Sequence, residues 1–296
     1  MYNWTYRNFI MEYDYALCEE VGHIWELPVL LPLRNKHGEI KKYILLLCAC
    51  QIDNEIVETY YWTGSWDKEN FKFIPEHELP KLIDLGKGTF TGASGFVTPD
   101  NRSVVFTISQ GKRTSKDEYE AGWAHNGGLP VELFLNNDES VGVKPIEELK
   151  KVRKSKLVDL ENVSLEDANK ALDLISGNMF EIQVEASVDY LGVGVEYGED
   201  KTVEVYYDKK QMVYGAKDNG VEVGRLRGDV DKVDTQEELT SIHFYLDHSM
   251  IESYLNERKS MTLRNYTENE KRKLSLHGAS AITIDKLEVW ELQGVY

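Results

Sequence analysis

One carboxylate in this chain stands where a proton could be held near neutrality. Glu26 lies in His23-Ile24-Trp25-Glu26-Leu27-Pro28-Val29-Leu30-Leu31-Pro32-Leu33, directly after an indole and directly before an apolar run. A carboxylate among apolar neighbours is poorly solvated, so its charged form is disfavoured and its pKa rises. A carboxyl still protonated near pH 7 is what general-acid catalysis requires. The same residues also fit an ordinary strand-end glutamate with its head in water, the commoner fate of an acid. Two other stretches could serve a site. Residues 84–98 place Gly86, Gly88, Gly92, Ala93 and Gly95 around Phe90 and Phe96. Such a stretch lets backbone approach a ligand closely, or simply makes a tight connection. It lacks the G-x-x-x-x-G-K-[ST] spacing of a phosphate cradle. Residues 122–133 bring Trp123 and His125 together, as a stacking surface and a polar contact or as a core ring and a turn cap. No zinc spacing, dinucleotide fingerprint or G-x-S-x-G element occurs, so no metal or cofactor is implied.

The elements that must position these residues are mostly strands. Tyr43–Ile52 is a continuous apolar run between Lys41-Lys42 and Asp53-Asn54, as in a buried central strand. Residues 56–64 and 102–109 read as further strands, and residues 71–73 alternate as a half-buried strand does. Asn3-Trp4-Thr5-Tyr6 also reads as a strand, and residues 112–119 as a charged loop. Residues 150–160 are basic and linker-like. Ser164 then offers a helix N-cap followed by acids in the first turn. Leu165, Ala168, Leu172 and Ile175 recur at helical spacing, with Gly177 as the stop. Beyond the helix, short strand patterns at sandwich-like spacing run to residue 292. Within them, Asp247, His248, Ser249 and Glu252 read as a polar hairpin rather than as catalytic groups.

Composition narrows the function classes. At 296 residues the chain is long enough for two ordinary domains. Hydrophobic content of 42% with 29% charged residues is globular. A formal charge of -17 argues against nucleic acid and against an anionic membrane surface as partners. Seventeen tyrosines and six tryptophans suit stacking on sugars, although large β-proteins are aromatic in any case. Cys18, Cys48 and Cys50 cannot all pair, and the last two should share a strand face as buried thiols. The longest apolar run is too short to span a bilayer and the first residues carry no signal-peptide pattern, so the expected compartment is the cytoplasm.

The three stretches together resemble glycoside hydrolase family 32, the invertases, levanases and inulinases. Residues 25–33 are similar to W-E-C-P-D-L/F-F-P-L, in which the Glu is the acid/base catalyst; Leu27 and Val29 replace the Cys and Asp. Residues 84–96 resemble D-x-G-x-x-F-Y-A-x-x-x-F, with Thr91 in place of Tyr. Residues 122–133 resemble G-W-A-G-x-L-S-L-P-R-E-L, with Val131 in place of Arg. Residues 247–256 resemble the hairpin D-R-S-S-V-E-V-F-V-N of the family's C-terminal β-sandwich. The resemblance implies Glu26 as acid/base and Trp25, Thr91, Trp123 and His125 as substrate-binding residues. Retaining hydrolysis needs a second carboxylate about 5–5.5 Å across the scissile bond. The family supplies it from W-M-N-D-P-N-G, and holds sugar hydroxyls with R-D-P; neither motif occurs in this sequence.

The expected fold is therefore all-β: the C-terminal part of a five-bladed β-propeller over residues 1–152, a linker with a short helix over 153–177, and a β-sandwich over 178–296. The expected function is glycoside hydrolysis at β-fructosidic bonds of sucrose or fructans by a two-carboxylate retaining mechanism, in a fragment inactive on its own whose missing N-terminal half would be a partner. A non-catalytic fructan-binding protein and a decayed gene product are the competing readings.

Overall fold

The structure is a computed structural model that describes residues 3–17, 21–22, 24–51, 54–224, 232–268 and 271–294. Cys18, one of the three thiols discussed above, lies outside them. Two antiparallel sheets come first. One holds β1 (Ile24–Arg34), β2 (Ile40–Gln51), β3 (Asn54–Asp67) and β4 (Lys72–Pro75) in chain order, with the two-residue β5 (Lys81–Leu82) on β3. The other holds β6 (Phe90–Val97), β7 (Ser103–Ser109), β8 (Asn126–Gly127), β9 (Val131–Leu135) and β10 (Val141–Pro145) in the order β6-β7-β9-β10, with β8 beside β7. Up-and-down order in four main strands is that of propeller blades. The sheets face each other across a core in which Leu31, Leu33, Ile44 and Leu46 meet Ala93, Val105, Val131 and Leu133.

β1 tolerates Pro28 and Pro32 because it is an edge strand, where a missing N–H breaks no ladder. Its register on β2 slips between Glu26 and Val29, and Leu27 takes a φ of 52°. The extra residue is a β-bulge. Side chains three apart normally point to opposite faces of a strand; here Glu26 is opposite Cys48 and Val29 opposite Leu46, so both face the second sheet.

Residues 3–6 form no strand, and Trp4 and Tyr6 are exposed. The segment instead runs to β4, where the Phe73 N–H donates to the Ile10 carbonyl at 2.7 Å. Tyr13 then sits 5.4 Å from the Trp25 ring and 5.0 Å from the Trp62 ring. Most of residues 112–119, expected as a charged loop, lies instead in a helix, α1 (Ser115–Ala121). Thr114 caps it by accepting from the Asp117 N–H, and it buries no residue, so it had no apolar periodicity to betray it.

The second unit is a sandwich. One sheet has the order β11-β21-β12-β17-β18-β19, formed by β11 (Arg153–Ser164), β12 (Met179–Ala186), β17 (Thr240–Asp247), β18 (Met250–Leu255), β19 (Lys259–Arg264) and β21 (Thr283–Leu292). The other has the order β16-β15-β14-β13-β20, formed by β13 (Tyr190–Gly198), β14 (Lys201–Asp208), β15 (Val213–Asp218), β16 (Val221–Glu222) and β20 (Lys273–His277). The linker reading of residues 153–164 is corrected here: they form β11, paired with β21 over its whole length. Its lysines are those of an edge strand, which charged side chains keep from pairing with other chains. Helix α2 (Leu165–Leu172) follows as expected, with Ser164 accepting from the Asp167 N–H at 3.1 Å and Leu165, Ala168 and Leu172 buried. It ends at Asp173, before Gly177.

The sandwich is fastened to the first unit by its β18–β19 hairpin. Asp84, buried just before the glycine stretch, accepts from Gly86 N at 2.8 Å, Thr262 N at 3.1 Å, and the Ser260 and Thr262 hydroxyls, each at 2.7 Å. Glu252, 2% exposed, accepts from Leu129 N at 3.0 Å and from the Tyr254 hydroxyl at 2.8 Å. The polar-hairpin reading of residues 247–252 thus holds for exposed His248 but not for Glu252, which is a buried fastening.

Candidate active site

Glu26 begins a row that crosses both propeller-type sheets. It is paired with Cys48 of β2, and Cys48 with Thr59 of β3. The Thr59 hydroxyl donates to the Phe90 carbonyl at 3.1 Å, and the neighbouring Thr91 hydroxyl donates to Cys48 Sγ at 3.8 Å. Thr91 is opposite Ile108 of β7, and Ile108 opposite Gly127 of β8. Glu26 itself is reached by the Cys50 thiol, 3.6 Å from Oε2. Partial burial, with the Glu26 charge adding to it, pushes the Cys50 thiol up and keeps it protonated as a donor. Cys48 and Cys50 share this face as expected, Cys48 buried and Cys50 half-buried. Their alternation inside an apolar run was the signal that could have marked them as lining for Glu26.

Trp25 is not part of that face. It pairs with Ala49, and its ring lies 5.7 Å from Trp62 beside Tyr13, on the opposite side of the sheet. Consecutive strand residues point apart, so an indole next in sequence cannot enclose the carboxylate that follows it. Glu26 is exposed, and the apolar burial expected around it is missing.

Trp123 and His125 stand on the loop between α1 and β8. Gly111 N–H donates to His125 Nδ1 at 2.9 Å, which leaves the proton of the neutral ring on Nε2, free to donate. Trp123 is 42% exposed; the Arg113 guanidinium lies 4.1 Å from its ring centre and 4.8 Å from that of Tyr266, and donates to the Trp123 carbonyl at 2.6 Å. This loop is tied to the glycine stretch. Gln110 N–H donates to Thr89 O at 2.8 Å, and Lys112 Nζ donates to Gly88 O at 2.9 Å and Lys87 O at 3.2 Å. Burial lowers the Lys112 pKa. Thus Cys50 reaches Glu26 and Thr91 reaches Cys48 on one face, Trp123 and His125 are bonded to residues 111–113, whose segment is itself bonded to the glycine stretch, and Trp25 faces away. Sequence reasoning missed Arg113, Tyr266 and Arg264, whose guanidinium lies 6.0 Å from the Trp123 ring centre and donates to the Gln110 carbonyl at 3.2 Å. Arg264 ends β19 and Tyr266 follows it in a loop, about 140 residues beyond Trp123, and no local pattern announces them. Among the described residues, no group of His, Cys, Asp and Glu is arranged to hold a metal ion.

Residues 1–145 match the N-terminal domain of glycosyl hydrolases family 32, and residues 148–291 match the family's C-terminal domain. The chain belongs to glycosyl hydrolase family 32. Solved members of similar fold include a Bombyx mori GH32 beta-fructofuranosidase (20% identity, TM-score 0.69), 93% of this chain aligning with 56% of that one. A mutant of that enzyme was solved in complex with sucrose. Fructan 1-exohydrolase IIa of Cichorium intybus aligns at 15% identity and TM-score 0.68, over 91% of this chain and 62% of its own. Sucrose-6-phosphate hydrolase of Lactobacillus gasseri aligns at 14% identity and TM-score 0.68, over 93% and 56%. The chain therefore spans little more than half the length of these family members. No curated protein matches by sequence. The likeness establishes a mostly β fold of propeller sheets and sandwich. No helix among the described residues is long and apolar enough to cross a membrane.

Proposed function

We propose that this chain carries the acid/base side of a β-fructosidic glycosidase site, with Glu26 as the proton donor and Thr91, Trp123 and His125 around the sugar. What supports this reading is the bulge at Leu27, which turns Glu26 toward the second sheet and onto the row leading to Thr91. In use, Glu26 would protonate the leaving oxygen and later deprotonate water, while the His125 Nε2–H donates to a sugar hydroxyl. Trp25 then acts from behind, holding β1 against Trp62. Acid catalysis completes only half of a double displacement, and the 296 residues contain no W-M-N-D-P-N-G nucleophile motif. On its own the chain is accordingly expected to bind but not to hydrolyse sucrose, inulin or levan.

A fructoside bearing a reactive epoxide tests the assignment, because a carboxylate held at the sugar opens the ring and becomes esterified. Peptide mass mapping should find the label on Glu26, and free fructose should suppress it. Label spread over surface acids, or concentrated elsewhere, rejects Glu26. Fructose released from sucrose above background and lost in Glu26→Gln would reject the inactivity instead. The exposure of Glu26 favours one alternative, a carbohydrate-binding protein that has kept the groove without its chemistry; no label on Glu26, together with fructose binding that Trp123→Ala abolishes, would favour it.

A further inference from the structure

The sandwich contains a second cleft, independent of the Glu26 reading. In Tyr190-Leu191-Gly192-Val193-Gly194-Val195 the apolar residues are buried in the core, while Tyr190, Gly192 and Gly194 take the outer face of β13. Across the neighbouring strands this face continues through Glu204 and Tyr206 of β14, Gly215 of β15 and His277 of β20. The glycines are there for space. A Cβ on Gly192 would come within 2.2 Å of a Glu204 carboxylate oxygen, and one on Gly215 within 2.7 Å of the Tyr206 ring. Tyr206 can therefore lie down over Gly215 and stack with Tyr190, ring centres 5.3 Å apart and planes 15° off parallel. The Tyr190 hydroxyl donates to Glu204 at 2.7 Å, so the half-buried ring is held by its face and by its tip.

Beside Tyr190 opens a cavity of about 670 Å³, where the β12–β13, β14–β15 and β20–β21 turns meet at one end of the sandwich. Val188, Ala279 and Ile282 contribute its apolar surface, and Asp189, Asp208 and Glu238, with Lys209 and Lys210, the charged part of its polar surface. Turns gathered at the end of a sandwich are a common place for binding, and the volume is that of a small-molecule site. The lining selects the ligand class. A purely apolar ligand would strand three carboxylates and two ammonium groups out of water. An anion would meet Asp189, Asp208 and Glu238, whereas Lys210 is already paired with Asp189 at 2.7 Å and Lys209 Nζ donates to the Glu238 carbonyl at 3.0 Å. A sugar has one face of C–H groups for a fixed ring and hydroxyls that both donate to carboxylates and accept from ammonium groups.

We propose that this cleft is a binding site for a neutral saccharide, with Tyr190 as its stacking platform. The test uses the full chain in calorimetric titrations with sucrose, a short fructo-oligosaccharide and maltotriose, and with inorganic phosphate as the charged control. At least one saccharide should bind at millimolar concentration or better. Tyr190→Ala should weaken it about tenfold or more, and Tyr190→Phe, which keeps the ring, less than about threefold. Ala279→Trp starts from an exposed position and should block the cleft without disturbing the core. The binding step that Tyr190→Ala weakens should persist in Glu26→Gln, and any step contributed by the groove around Glu26 should persist in Tyr190→Ala, which separates the two sites. The idea is overturned if no saccharide binds, or if only phosphate does. It is also overturned if Tyr190→Ala and Ala279→Trp, both with wild-type circular dichroism, bind as wild type, or if Glu26→Gln alone abolishes binding.

Discussion

Where the sandwich meets the propeller-type sheets, two acids are out of water; where those two sheets face each other, the acid singled out for chemistry is in it. Asp84 and Glu252 are both buried at the junction, and burial raises both pKa values, that of Glu252 to about 7. Each is surrounded by donors: four for Asp84, two for Glu252. Glu26 has one thiol at 3.6 Å and solvent. A strongly shifted carboxyl is often taken to mark an active site, and the association is only statistical. In this fold two strongly buried, shifted acids, Asp84 and Glu252, fasten one unit to another. The acid that the family resemblance marks for catalysis stands at a bulge on an edge strand, where substrate could reach it.

The contrast can be broken most forcefully at Asp84. Asp84→Ala strands two backbone N–H groups and two hydroxyls, and should cost about 3–5 kcal/mol in urea unfolding. A loss below about 1 kcal/mol would mean that the hairpin is held by its apolar contacts instead. Glu252 gives a pH signature. Its folded pKa lies above the ordinary 4.5, so the folded chain holds this proton more tightly than the unfolded chain does. Stability from this group is complete below pH 4.5 and is lost as pH rises to about 7, by at most about 3 kcal/mol. Glu252→Gln should flatten the curve between these values and be the more stable form at pH 8. Glu181, lowered to about 2 by Arg153 and His243 against its burial, acts in a separate window, contributing above pH 4.5 and losing its contribution as pH falls toward 2. The smallest effect belongs to Glu26→Gln, which should leave stability within about 0.5 kcal/mol of wild type. A larger loss would make Glu26 another fastening acid and erase the distinction.

Much of the architecture could be read locally. The apolar run from Tyr43 became the core of β2, and the Ser164 cap began α2, because burial and capping act over a few residues. β11 was missed because an edge strand with one solvated face is rich in lysine and looks like a linker. β13 is weakly announced because Gly192 and Gly194, on its outer face, are poor strand formers. The proposed placement of Glu26, Thr91, Trp123 and His125 at one site rests on motif order, whereas Trp25 lies apart from Glu26 because the next residue along a strand lies on its other face. The bulge that turns Glu26 toward Thr91 is a single residue at positive φ, Leu27, and leucine gives no warning of it.

The aromatic contact behind β1 has an optical consequence. Trp25 and Trp62 are 5.7 Å apart and tilted by 38°, with the Tyr13 ring against both. Two indoles this close and skewed couple their excited states, so the pair carries its own near-ultraviolet dichroic signal. Because Tyr13 belongs to the leading segment and Trp25 precedes Glu26, that signal reports the docking of the segment and the set of the strand that bears the acid.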